Sequence, residues 1–298
     1  MSATEFVSIG MPVRNGELFI EKAIKSVQQQ DHTNFTLLIA DNASTDGTQN
    51  IVERFAREDT RVRYFRHSQD IGPLDNFRYV LDLAESMYFC WLAADDVWSE
   101  NWLRANLEVL LHSQGLVGSY GHVKPIDKFG RELVSHPAYL YESRFNQASA
   151  FARRLSCLWE SEHLGKANLY YSLFEREALA RVMDRLRNPS KMSDYQLVLG
   201  IMDEGGIGRS DSFLYKRIHD GESGEVEALT EGLSTKAVPL LARLRRVNTE
   251  VSMAIPYRRS GVVDYSFLES ALIWMKRTKI LAAYVRSWAV RLLVGNGG

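Results

Sequence analysis

The sequence predicts an α/β fold with a mostly parallel sheet flanked by helices. Two observations carry this. Strand-like and helix-like segments alternate over the first hundred residues. They do so with a period of about 26–28 residues, the length of one βα step, and repeated βα steps place successive strands side by side with helices on both faces.

Phe6 to Val13 (FVSIGMPV) reads as a buried strand. Glu17 to Gln30 follows as a helix, because Leu18, Ile20, Ala23, Ile24 and Val27 share one face at helical spacing. Phe35 to Asp41 (FTLLIAD) is a second strand. Ser44-Thr45-Asp46-Gly47-Thr48 is turn and cap chemistry ahead of a helix over Gln49 to Glu58. Arg61 to Arg66 alternates as a third strand, Leu74 to Glu85 is helical, and Met87 to Leu92 (MYFCWL) is a fourth, nearly all-apolar strand.

The second hundred residues are less regular. Ser99 caps a helix to about Leu111, and Tyr120 to Leu133 reads as a hairpin around Lys128-Phe129-Gly130. Leu169 to Phe174 is strand-like with a helix over Glu175 to Leu186 behind it. Asp194 to Met202 begins another helix, and Asp211 to Ile218 is a further strand. Beyond Gly224 the chain reads as a helical extension, first polar, then apolar and basic.

Composition narrows the function. The 298 residues are 45% hydrophobic and 24% charged, ordinary for a globular chain of one large domain or two small ones. Lys plus Arg is 36 against 37 Asp plus Glu, a balance that argues against coating nucleic acid through bulk charge. Cys90 and Cys157 are far apart and form no CxxC pair, which disfavours a disulfide scaffold or a cysteine zinc site. The polar N-terminus does not read as a secretory signal, and no apolar run is long enough to span a bilayer. A cytoplasmic location is the expectation.

In parallel α/β sheets the ligand sits outside the carboxyl ends of the strands. Those ends are Pro12 to Asn15, Asp41-Asn42, Arg66 to Gly72 and Ala94-Asp95-Asp96. Adjacent Asp95 and Asp96 repel each other unless a cation or full hydration screens them, which suits a divalent metal; the same pair also suits a helix N-terminus. Asp41 is placed to accept a hydrogen bond from a base N–H, while Asp46-Gly47 reads as a turn. Pro12-Val13-Arg14-Asn15-Gly16-Glu17 places backbone and Asn15 on the same crevice.

In this order the three blocks resemble the family 2 glycosyltransferases of the GT-A fold. That family shows P-x-x-N, then (V/I)-D-D-x-S-x-D-x-T, then D-x-D-D. The chain has Pro12-Val13-Arg14-Asn15, then Ile39-Ala40-Asp41-Asn42-Ala43-Ser44-Thr45-Asp46-Gly47-Thr48, then Ala93-Ala94-Asp95-Asp96. Asp70-Ile71-Gly72 and Asp75-Asn76 sit where the family often has N-x-G and R-N. Met192-Ser193-Asp194-Tyr195 fits the place of its E-D pair, and Arg217-Ile218-His219 with Ser223 fits a late R-x-H strand and loop. Two departures stand out: Ala93 replaces the first Asp of D-x-D, and Ser193 replaces the Glu.

The resemblance implies a GT-A domain over residues 1–223, with a nucleotide-sugar half to about 115, an acceptor half after it, and a helical extension over 224–298. It implies an inverting transfer from a UDP- or dTDP-sugar to a hydroxyl of a glycan or lipid-linked acceptor in bacterial cell-surface polysaccharide synthesis. Asp194 is the expected base. Pro12, Arg14, Asn15, Glu17, Asp41, Asn42, Asn76 and Asp95 are expected around the nucleotide sugar. Asp95, Asp96 and His219 are expected to hold Mn2+ or Mg2+, and Arg217 and Ser223 to close over the diphosphate. Asp194 and His219 also suit plainer roles, a helix N-cap and a surface histidine.

Ala271 to Gly298 carries five Lys and Arg residues and no acid, interleaved with Trp, Leu and Ile. Such a helix suits either the anionic inner face of a plasma membrane or packing on protein. The nucleotide-binding motifs G-x-G-x-x-G and G-x-x-x-x-G-K-[ST] are absent. A metal-dependent nucleotidyltransferase and a catalytically decayed sugar-nucleotide-binding or glycan-binding protein are the competing readings.

Overall fold

The computed structural model describes residues 5–136, 138–139, 145–147, 149–159, 166–185 and 194–219, all within the unit Met1–Val226. Residues 224–298, Ser193 and Ser223 lie outside them, and so do the expectations placed on them.

Strands β1 (Val7–Val13) and β2 (Phe35–Asp41) are buried at every position, because each is covered on both faces. Helix α1 (Ile20–Gln28) buries Ile20, Ala23, Ile24 and Val27 against them, and α2 (Thr48–Glu58) buries Val52 and Phe55. Strand β3 (Val62–Arg66) lies at the sheet edge, with Val62 buried and its other four residues partly or fully exposed. Helix α3 (Pro73–Asp82) opens with Pro73 after Gly72, whose φ of 87° is open to glycine without steric cost. Strands β4 (Tyr88–Trp91) and β5 (Val97–Trp98) precede α4 (Trp102–His112) and the long β6 (Leu116–Ile126). Then come α5 (Ala150–Trp159), a 3-10 helix (Lys166–Tyr171), β7 (Leu173–Glu175), α6 (Arg176–Arg185), α7 (Asp194–Glu204) and β8 (Gly206–Arg217).

Among the described residues the strands form one eight-stranded sheet, β3-β2-β1-β4-β7-β6-β8-β5. The first four are mutually parallel, as is the β6–β8 pair; β4–β7, β6–β7 and β5–β8 are antiparallel. Strand order reverses at β1, which has β2 on one side and β4 on the other.

Three expectations need correction, and one strand had no expectation at all. Leu169–Phe174 is not one strand: its first half is 3-10 helix and strand begins only at Leu173, because Tyr170 stacks on Trp91 at 4.7 Å between ring centroids and the Ser172 hydroxyl closes the turn on the Leu169 carbonyl. The last strand starts at Gly206, five residues earlier than expected, where its N–H reaches the Gly115 carbonyl. The two-residue strand β5 gave no periodic signal and exists through its pairing with β8. Ser99 is not the cap of α4, whose N-cap is Asn101; the Ser99 hydroxyl instead accepts the Phe213 N–H of β8.

The loops after β1 and β2 are tied together. The N–H of Asn15 donates to Ser44 Oγ at 2.9 Å and that of Gly16 to Thr48 Oγ1 at 2.8 Å. In return the Thr45 N–H donates to Asn15 Oδ1 at 2.9 Å and the Gly47 N–H to Glu17 Oε2 at 2.9 Å. Asn15 and Ala43 both take φ of 55°, a left-handed conformation that Asn tolerates better than Ala. At the far end of α2, Asp59 gathers the Arg61 guanidinium and backbone N–H together with Gln28. The Arg61 side chain chiefly, with the remaining donors, draws the Asp59 pKa down to about 2.

Two stability predictions follow from these contacts. Asn15→Ala should lose about 1–2 kcal/mol in urea denaturation, since it combines a strained φ with a lost acceptor. Asn15→Gly should lose visibly less, and equal losses would mean that φ is not the constraint. Asp59→Asn should cost about 1–2 kcal/mol at neutral pH, after allowance for partial exposure. The folded pKa lies below the unfolded value, so this contribution is full above about pH 4 and is lost as the pH falls through about 2. Denaturation curves of variant and wild type should therefore converge in acid.

Candidate functional site

The reversal of strand order at β1 opens a crevice at the carboxyl ends of β1 and β4, the usual ligand position in such sheets. The parallel register puts Val13 beside Asp41 and Asp41 beside Arg66, so three strand ends reach the same edge.

On one side of the crevice lies a polar rim. Asp70 accepts from Arg14, from Asn42 Nδ2 at 2.6 Å and from the Gly72 N–H at 2.8 Å. Those contacts, led by the Gly72 N–H, lower the Asp70 pKa. Asn42 also accepts the Ile71 N–H, so its amide bridges the ends of β2 and the β3–α3 loop. Asn76 is buried under the same loop; it donates to the Ala40 carbonyl and faces His67 Nε2 at 3.1 Å. Pro12 is buried within β1 opposite Ala40. Of the residues expected around the nucleotide sugar, Arg14, Asn15 and Glu17 are exposed, and Asn15 and Glu17 hold the β2–α2 loop.

Asp41 is completely buried. Its Oδ1 accepts the Ser44 N–H at 2.8 Å and its Oδ2 accepts the Tyr64 hydroxyl at 2.7 Å, with Arg66 Nε 3.6 Å away. Burial, then the bond to Asp41, raises the Tyr64 pKa, so the phenol stays a donor. Tyr64 was not singled out in the sequence; its position beside Ile39 in an alternating edge strand is the available signal.

On the other side stands the acid loop after β4. Asp95 is half-buried, and His219, which follows β8, brings Nε2 to within 2.6 Å of its Oδ2. Asp96 is buried: Oδ1 accepts the Arg217 N–H at 2.8 Å and Oδ2 has no hydrogen-bond partner. Burial chiefly pushes the Asp96 pKa up to about 6, with Lys216 opposing and the Asp95 charge adding to the rise. Of the three residues expected to hold a metal, Asp95 and His219 are therefore the accessible pair and Asp96 lies inside. Among the described residues no three His, Cys, Asp or Glu side chains group into a metal cage.

Arg217 differs from its expectation. It is 3% exposed, and its guanidinium donates to backbone carbonyls rather than facing the crevice open-handed: Nε to Asp95 at 3.1 Å and Nη1 to Asp127 at 2.6 Å. Phe19, which the sequence did not mark, lies under the guanidinium at 4.2 Å and edge-on to His219 at 6.1 Å. Asp194 begins α7. No helix of the described residues is long and apolar enough to cross a membrane.

Comparison with known proteins agrees with this architecture. The model of "Glycosyl transferase family 2" matches residues 8–159, just over half of the chain. The Escherichia coli K12 glycosyl transferase WcaA, named for colanic acid biosynthesis, is 32% identical over 193 residues, which cover 59% of this chain and 67% of that protein. The Escherichia coli protein WfgD, named UDP-Glc:alpha-D-GlcNAc-diphosphoundecaprenol beta-1,3-glucosyltransferase, is 31% identical over 105 residues, 35% of this chain and 41% of that one. The chain spans about half, or less, of the length of several other curated relatives it matches. Among solved structures, S. aureus TarS 1–349 in complex with UDP-GlcNAc superposes with a TM-score of 0.57 at 16% identity, covering 94% of this chain and 71% of that one, a likeness of fold. With its central sheet, its strand-end motifs and this match in agreement, the chain belongs to glycosyl transferase family 2.

Proposed function

We propose that this glycosyltransferase moves a sugar from a nucleoside diphosphate sugar, with UDP- or dTDP-sugars favoured, to a hydroxyl of a lipid-linked glycan in bacterial cell-surface polysaccharide synthesis. The observation that carries the reading is the meeting of Asp95 with His219 across 124 positions of sequence, at the switch point of the sheet. One relative named for colanic acid biosynthesis and another named for a diphosphoundecaprenol-linked acceptor support the acceptor class. A neighbouring fold bound to UDP-GlcNAc supports the donor class. A lipid-linked acceptor in turn supports work at the inner face of the plasma membrane.

The donors suit a divalent ion. One accessible carboxylate and one imidazole are too few to cage a metal, but Mn2+ or Mg2+ is commonly held by one or two carboxylates together with substrate phosphates. Asp95 and His219 are the residues to hold it, and the buried, unpartnered Asp96 Oδ2 leaves further carboxylate capacity one residue away. A bound cation would stabilise the charge that develops on the departing nucleoside diphosphate. Asp194 would accept the proton of the acceptor hydroxyl as its oxygen bonds to the anomeric carbon, with inversion there. Since a carboxylate is a far weaker base than an alkoxide, that transfer comes late in the displacement. Arg14, Asp70 and Asn42 shape the rim around the base, and Asp41 is the group to read its N3–H.

A thermal-shift screen of UDP, dTDP, GDP and CDP, each with and without Mn2+, tests the site. At about 100 times its dissociation constant a nucleotide adds about 2.7 kcal/mol, a shift of several degrees for a chain of this size. A shift for UDP or dTDP that needs Mn2+ and disappears in Asp95→Ala is expected. Asp194→Asn should keep the shift and lose on the order of 10²–10⁴ in turnover. Pyrophosphate in place of a nucleoside diphosphate as product would convert the reading to nucleotidyl transfer, and no shift with any nucleotide would leave a decayed site.

A further inference from the structure

We infer that Arg217 is a positioning residue that sets the Asp95–His219 pair by gripping the backbone of the acid loop, and that through the same guanidinium it couples this loop to the 127–131 turn. The inference rests on the proposed function only in giving Asp95 the metal.

Four contacts meet at this one buried residue. Its own N–H donates to Asp96 Oδ1 at 2.8 Å, which fixes the end of β8 to the acid loop. Its Nε donates to the Asp95 carbonyl at 3.1 Å and its Nη1 to the Asp127 carbonyl at 2.6 Å. Its guanidinium carbon sits 4.2 Å from the centre of the Phe19 ring, on the segment that leads into α1. A guanidinium presents its donors in a planar fork, so two carbonyls held by one fork are held relative to each other. A buried cation stays in place only where its donors are bonded and its charge is balanced; here two carbonyl oxygens take guanidinium donors, and the nearby Asp96 carboxylate and an aromatic face balance the charge.

The neighbouring positions extend the grip. The next residue, Ile218, donates its N–H to the Ile126 carbonyl at 2.9 Å, and the one after it is His219, on Asp95. The turn is itself rigid, because Asp127 Oδ1 accepts the N–H groups of Phe129 and Arg131. Asp95 therefore has its carbonyl held by Arg217 and its carboxylate held by His219. A direct diphosphate ligand would need its guanidinium accessible, and at 3% exposure this one is spent on the backbone.

Amide hydrogen exchange on the full chain, free of metal and nucleotide, tests the grip directly. In Arg217→Met and Arg217→Lys the amides of Asp96, Asp127 and Gly130 should exchange at least about tenfold faster, while those of β1 stay at wild-type rates. Lys offers one ammonium for two carbonyls and keeps the residue cationic, so it serves where Met fails to fold. Phe19→Ala should loosen the same amides to a smaller degree. Calorimetric titration of UDP gives the second readout: Arg217→Lys should lose about tenfold of the affinity that Mn2+ adds, with metal-free affinity within about twofold of wild type. Unchanged exchange at the two loops would overturn the inference. So would a metal-free loss of UDP affinity at unchanged exchange, the signature of a direct diphosphate ligand. Failure of the wild type to bind UDP, dTDP, GDP or CDP would sink the proposed function, and exchange would still decide the role of Arg217.

Discussion

The in-register parallel pairing of β1 with β2 puts Val13 beside Asp41, and that alignment decides where each loop of the crevice begins. A slip of one residue would turn the faces of β1 over and bring Ile9 or Met11 to the place where Gly10 fits. At Gly10 an added Cβ would come within 2.7 Å of Phe89 and 2.8 Å of Val80, so β1 is also fixed against its β4 and α3 neighbours. With β1 held on both sides, the loops at its carboxyl end have no freedom to choose their height. They meet the ends of β2 and β4 because the sheet leaves them there.

Given that frame, most of the motif polar groups are consumed in shaping the crevice. Asn15, Glu17, Ser44 and Thr48 bond loop to loop, and Asn42 and Asn76 bond strand ends to the β3–α3 loop. Buried amides and hydroxyls that lack partners cost about 1–3 kcal/mol each, so a set this dense is stable only when nearly all are satisfied. The expected site residues left exposed are correspondingly few: Arg14, Asn15 and Glu17 on one side, and His219 beside half-buried Asp95 on the other. A sequence motif therefore records two demands at once, the contacts a ligand would make and the backbone that must be held for it.

The alternating half of the fold was legible because each element there is decided by local pattern. Apolar runs of strand length and stripes of helical spacing place β1 to β4 and α1 to α3 within a few residues. The second half depends on partners distant in sequence. Strand β5 exists through β8, and Tyr170 leaves a strand-like segment to stack on Trp91, 79 positions earlier. The site divides the same way. Strand-end acids were readable from order and spacing, and Arg217 and His219 from their motif. What Arg217 does was not readable, because burial and the carbonyls of Asp95 and Asp127 are facts of packing. Phe19 and Tyr64 left no signal of their own beyond one aromatic in a helix lead-in and one in an alternating strand.

Asp41 shows how the two demands meet in a single side chain. Both of its oxygens are already paired, Oδ1 with the Ser44 N–H and Oδ2 with the Tyr64 hydroxyl. Under the proposed function a base N–H would reach this buried carboxylate by sharing an oxygen with one of these donors or by displacing the Tyr64 hydroxyl, the one that belongs to a side chain. Exchange of one donor for another changes stability by far less than leaving the carboxylate bare, because the large term is the cost of an unpaired buried charge. The phenol keeps Asp41 satisfied when no nucleotide is present, and as a side-chain donor it could turn away where the Ser44 backbone N–H could not. Under that reading, selectivity at this point would come from the difference between two donors competing for one oxygen, and a base without an N–H at the right place would have nothing to offer in exchange.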